Sequence, residues 1–87
     1  MLHLECVFKT GDGIGGSEYN IGVKSSVSDC IKTCDRLKKT KFPKINGVTI
    51  PSKRVPGKIN CYCEIGMKGW NTNAIWKSCT TVGNYYI

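Results

Sequence analysis

SSVSDCIKTCDRLKK, residues 25–39, contains both ends of a helix and two of the six cysteines of this 87-residue chain. Ser26 followed three residues later by Asp29 is a capping-box-like start, in which a side-chain oxygen meets an otherwise unpaired amide of the first turn. Behind it Val27, Cys30, Ile31, Cys34 and Leu37 recur at helical spacing, so one apolar stripe carries both cysteines. Lys38 and Lys39 close the segment, where positive charge suits the helix dipole. The pattern predicts a helix over 27–39.

Cys30 and Cys34 stand four apart, roughly 6 Å of rise on one helix face. INCYCEI, residues 59–65, places Cys61 and Cys63 two apart on one face of a strand, roughly 6.7 Å. The two spacings match, so two disulfides can run side by side between helix and strand. An antiparallel arrangement pairs Cys30 with Cys63 and Cys34 with Cys61. A parallel one pairs Cys30 with Cys61 and Cys34 with Cys63. Either leaves Cys6 and Cys79, near the two ends, to bridge each other, a closure worth about 4 kcal/mol in the chain-entropy picture.

Around this centre the chain reads as short extended segments. LHLECVF (2–8) alternates apolar and polar residues and predicts a first strand. YNIGV predicts a short strand at 19–23 and INGVTI one at 45–50. PSKRVPGK then supplies a Pro-Gly turn before INCYCEI returns. NAIWKSC (73–79) and VGNYYI (82–87) predict a final ribbon. The order is that of an α+β fold, a single domain over 1–87 with one helix packed on an antiparallel sheet.

Size and composition say why the cysteines matter. A chain this short has a marginal apolar core and needs staples. Six cysteines with a single histidine, His3, and no C-x-x-C pair fit disulfides rather than zinc. The expectation is three disulfides, no metal and no cofactor, in a secreted, extracellular protein. No apolar run reaches the length of a membrane span. MLHLEC lacks the charged and apolar regions of a signal peptide, so the chain reads either as a mature form with an added Met1 or as one whose export signal has been removed. The formal net charge of +7 favours acidic partners such as sulfated glycans, anionic surfaces or acidic proteins.

GDGIGG (11–16) matches the G-x-G-x-x-G of dinucleotide-binding loops. Those loops open directly into a helix, whereas SEYNIGVKSS follows here with no helical period. The segment reads instead as a flexible turn, with Asp12-Gly13 and Gly15-Gly16 supplying positive φ. No nucleotide is expected.

Two families share parts of this pattern. The early Cys6, the helical DCIKTC, INGVTI, CYCEIGMKGW and the closing WKSC resemble PAN/apple-like extracellular modules, over most of the span from Cys6 to Cys79. That resemblance implies a helix cradled by a curved sheet and binding to proteins or carbohydrates. It also implies nested disulfides, favouring Cys30–Cys63 and Cys34–Cys61 beside Cys6–Cys79. CYCE and the late KSC also look similar to the cysteine-stabilised αβ scaffold of scorpion toxins and defensins, for which a staggered pairing is expected.

No catalytic constellation is visible: His3 is alone, Asp29 caps the helix, and Glu64 reads as a solvated or cross-strand residue. An enzyme is not expected. LKKTKF (37–42) resembles a heparin-binding consensus through Lys38, Lys39 and Lys41. Lys53, Arg54 and Lys58 form a second basic cluster in the 51–58 loop. If that loop lies beside the helix end, both clusters and Lys44 make one anion-binding face. Trp70, in the loop-like GMKGWNTN, is the candidate aromatic contact, whereas Trp76 is expected in the core. The reading is a secreted, non-enzymatic, lectin-like module that recognises glycans (sulfated, heparin-like ones included) or extracellular proteins. Nucleic acid is not a favoured partner. The alternative is a basic toxin or host-defence peptide acting on channels or membranes, and a third is a serine protease inhibitor presenting Lys53-Arg54.

Overall fold

The computed structural model describes residues 3–4, 6–80 and 85–86. Among the described residues, nine strands and one helix follow in the order β1 (His3–Leu4), β2 (Lys9–Thr10), β3 (Gly13–Ile14), β4 (Ser17–Lys24), α1 (Val27–Thr40), β5 (Ile45–Pro51), β6 (Ile59–Ile65), β7 (Gly69–Trp70), β8 (Trp76–Thr80) and β9 (Tyr85–Tyr86). Five of the strands form one sheet in the order β2-β8-β5-β6-β4, and the pairs β1-β9 and β3-β7 stand apart from it. The strand pairs are antiparallel. One helix packed on an antiparallel sheet with three disulfides is the fold that the sequence predicts.

The helix begins as its cap dictates. Ser26 is extended, and its hydroxyl accepts from the Asp29 amide at 3.0 Å. At the other end the Lys41 and Phe42 amides both donate to the Leu37 carbonyl, closing the last turn. The chain then reverses through 41–44 into β5, and reverses again through the 52–58 loop into β6. Two reversals leave α1 and β6 pointing the same way. The bridges are therefore Cys30–Cys61 and Cys34–Cys63, with Cα–Cα distances of 5.7 and 5.5 Å, joined by Cys6–Cys79. This corrects the nested pairing of Cys30 with Cys63 and Cys34 with Cys61: the parallel option holds.

Between α1 and the sheet lies the core, made of Ile45, Val48, Ile50, Ile59 and the cysteines 30, 34, 61, 63 and 79. Phe8, Ile21, Ile31, Leu37 and Phe42 pack against it from the rim. With five cysteines among its nine members, this core is held by covalent staples as much as by apolar area, as expected for a chain of this size.

Strand alternation sends the neighbours of the core residues to the other face. Cys61 and Cys63 point to the helix, so Tyr62 and Glu64 point away from it. Thr49 and Ser78, opposite each other on β5 and β8, lie on that second face too. A flap made of β3, β7 and their flanking loops covers part of it. Asn46 clamps the flap's root, donating to the Met67 carbonyl at 2.8 Å and accepting from the Met67 amide at 2.9 Å.

GDGIGG belongs to this flap and is not a free turn. Positive φ falls on Gly15, as expected, and on Gly11, but not on Gly13 or Gly16. Gly13 is needed for space, because a Cβ there would overlap the Glu64 carboxyl and the Met67 sulfur. The predicted strand over 2–8 is also shorter: residues 6–8 leave the ladder because Cys6 and Phe8 turn onto the core. At 73–79 the strand starts only at Trp76, since Asn71 and Asn73 side chains accept from the amides of Asn73 and Ile75 and hold a turn. The helix runs one residue beyond its predicted end. Of the predicted ribbon over 82–87, Tyr85 and Tyr86 form β9, and 82–84 and 87 lie outside the described residues.

Candidate functional site: a basic-rimmed aromatic cleft and a carboxylate cluster

The two basic clusters do not share a face. Lys44 precedes β5 and Lys53 follows it, so the clusters sit at opposite ends of the strand, roughly 20 Å apart. At the helix end much of the charge is committed. The half-buried Lys38 ammonium donates to the Ile45 carbonyl at 2.7 Å and to the Pro43 carbonyl at 3.3 Å, holding the turn. Lys39 pairs with Asp35 at 3.0 Å, one helical turn back. Lys41 lies 5.4 Å from the Phe42 ring centre and 5.8 Å from that of Tyr19, within cation–π range. Lys41 and Lys44 remain at the surface, beside a shallow hollow lined by Phe42, Pro43 and Ile65.

The 51–58 loop is arranged differently. Lys53, Arg54 and Lys58 are all exposed. Arg54 uses one guanidinium nitrogen to donate to the Pro51 and Ser52 carbonyls, at 2.7 and 3.4 Å, which folds it over its own loop. Ser52 stitches the loop to the segment before β8: its amide donates to Ile75 O and its hydroxyl to Ala74 O. Between the two segments opens a cleft of about 420 Å³ lined by Pro51, Ser52, Lys53, Ala74, Ile75 and Trp76. Ile75 is 64% exposed, a large apolar side chain left in solvent at the cleft wall. Trp76 is half-buried, its ring held edge-on by Tyr62 at 5.6 Å between centres.

Both tryptophans are half-buried. Trp76 does not enter the core; alternation puts Lys77 and Cys79 on the helix face and Trp76 on the other. Trp70 is half-buried in β7, with the Lys9 ammonium 5.9 Å from its ring centre.

On the second face of the sheet, under the flap, the fold assembles a group that sequence reasoning missed. Glu64 and Glu18 are direct cross-strand partners on β6 and β4. Asp12 joins them from the flap, where Asn71 fixes it by accepting from its amide and donating to its carbonyl. One carboxylate oxygen of each lies within 4.8 Å of the others. Glu64 is only 3% exposed, which corrects its reading as a solvated residue. Burial pushes its carboxyl up to about 7; a hydrogen bond with Thr49 opposes this, while a hydrogen bond with Glu18 and the charges of Glu18 and Asp12 act in the same direction as burial. Beside it, Ser78 gives its proton to the Gly11 carbonyl and meets the Thr49 hydroxyl at 2.6 Å. The only advance signal was the alternation in INCYCEI, which puts Glu64 on the face away from the cysteines.

Compared with protein-family models, with curated proteins and with solved structures, the chain matches none. No described helix is long and apolar enough to cross a membrane, and three disulfides are compatible with an extracellular protein.

Proposed function

We propose that this protein is a secreted, non-enzymatic binding module for anionic glycans or acidic extracellular protein surfaces, of PAN/apple-like character, and that its contact face is the cleft between the 51–54 loop and residues 74–76. One observation carries the reading: the indole of Trp76 and the exposed Ile75 stand in one cleft with Lys53, and Arg54 adjoins it. An aromatic face takes the apolar side of a sugar ring, and cations at its rim take sulfate or carboxylate groups. The net charge of +7 adds long-range attraction for such ligands. Lys41 and Lys44 contribute to that field from the far end of β5.

The test is retention on immobilised heparin across a salt series, together with a glycan array. Retention should fall steeply with salt and weaken in Trp76→Ala and in Lys53→Ala/Arg54→Ala. Weakening only in Lys38→Ala/Lys39→Ala/Lys41→Ala would return the site to the helix end. No retention and no array signal would overturn the glycan reading.

The staggered pairing of Cys30 with Cys61 and Cys34 with Cys63 favours a second reading, a basic toxin or host-defence peptide on a cysteine-stabilised αβ scaffold. Leakage from anionic vesicles and block of channel currents at micromolar protein are its tests. Activity in either, without glycan binding, would select it.

A further inference from the structure

The carboxylate cluster is unusual for so basic a chain. Of the six acidic residues in the sequence, three meet at one point. Yet none of the thirteen Lys and Arg residues is placed to neutralise them: among the described residues, no Lys or Arg ion-pairs with Asp12, Glu18 or Glu64. Three carboxylates facing one another without a cation repel strongly.

The second observation is independent of the count. Glu64 is buried, and its Oε2 is a buried oxygen with no hydrogen-bond partner. Buried carboxylate oxygens are normally satisfied by a donor or a metal, so this oxygen is open to a cation. The orphan oxygen belongs to the same carboxyl that meets Asp12 and Glu18.

We propose that Asp12, Glu18 and Glu64 form a calcium-binding site beneath the β3–β7 flap. Oxygen-only donors select a hard cation. The three oxygens lie within 4.8 Å of one another, close enough to share one ion. A site open on one side suits the variable, higher-coordination shell of Ca²⁺ better than the strict octahedron of Mg²⁺. Glu64 forms the floor, held by the sheet. Asp12 forms the wall, held by Asn71. Glu18 is exposed and leaves a side open to solvent, through which the ion enters and waters complete its shell. The cation would tie the flap to the sheet through Asp12, and in an extracellular setting millimolar calcium is the ordinary condition.

Trp70 provides the readout. It pairs with Gly13 across β3–β7, one residue from Asp12, close enough to sensitise a bound lanthanide. The intact oxidised chain, stripped with a chelator, is titrated with Tb³⁺ under tryptophan excitation, and Ca²⁺ and Mg²⁺ are then added as competitors. One saturable terbium site is expected, displaced by Ca²⁺ well before Mg²⁺. Glu64→Gln, which keeps the side-chain shape, should weaken it more than about tenfold. Glu18→Gln, at an exposed position where folding is not at stake, should weaken it as well. Calcium should also raise the thermal midpoint of the wild type and leave that of Glu64→Gln unmoved. Absence of saturable emission, emission unchanged by both variants, or failure of millimolar Ca²⁺ to displace terbium would overturn the site.

Discussion

Glu64 faces Glu18 directly across the β4–β6 ladder, a like-charged pair in which one member is buried under the flap. Such a pair is destabilising when both carry charge. In metal-free buffer Glu64 therefore resists ionisation, its carboxyl raised by burial first and by Glu18 and Asp12 second, from 4.5 to about 7. The folded protein holds this proton to higher pH than the unfolded chain does, so unfolding between these values releases it. The contribution is fully present below pH 4.5 and is lost as pH rises through 7. At about 1.4 kcal/mol per unit the whole effect is about 3 kcal/mol. Urea unfolding from pH 4 to 8 in chelator should show wild type losing stability relative to Glu64→Gln across this window. A constant difference would refute it.

Mapping the bridges needs two cuts. Trypsin cleaves after Lys32, between Cys30 and Cys34, and chymotrypsin after Tyr62, between Cys61 and Cys63. Digestion of the denatured, unreduced chain should link the Cys30 peptide to that ending at Tyr62, and the Cys34 peptide to that holding Cys63. Crossed links would place α1 and β6 antiparallel, against the topology.

Gly13→Ala should cost about 1–3 kcal/mol, because the new methyl overlaps the Glu64 carboxyl and Met67 sulfur beneath the flap. Gly69→Ala, in the partner strand, meets no atom within 4 Å and should stay within about 0.5 kcal/mol of wild type. Equal effects in thermal or chemical unfolding would mean that the flap does not close over Glu64.

Lys38→Met should lower stability by about 1–2 kcal/mol through the lost bonds to the Ile45 and Pro43 carbonyls. Heparin retention should change no more than the loss of one charge explains. A stable variant with greatly reduced retention would show that Lys38 faces the ligand.

Local signals were legible. The Ser26–Asp29 cap and the apolar stripe placed the helix, and INCYCEI appeared as a strand with its true bounds, because both depend on neighbours in sequence. The direction of α1 against β6 was not encoded in the cysteine spacings, which fit either orientation. It followed from counting chain reversals: one through 41–44, one through 52–58. The carboxylate cluster was hidden for a different reason. Asp12 sits in a loop that resembled a phosphate cradle, and Glu64 beside a disulfide cysteine. Only the β4–β6 register and the flap bring them together. Trp76 was misread because its closeness to Cys79 in sequence suggested the core, while alternation turned it to the opposite side.

The most direct test of the glycan-binding account is a ¹H–¹⁵N map of the chain titrated with a heparin octasaccharide. Shifts should concentrate at residues 51–54 and 74–76, with the Trp76 indole N–H among the largest, and should titrate at one affinity that falls with salt. Shifts confined to 38–44, or none at millimolar oligosaccharide, would contradict the cleft as the binding face.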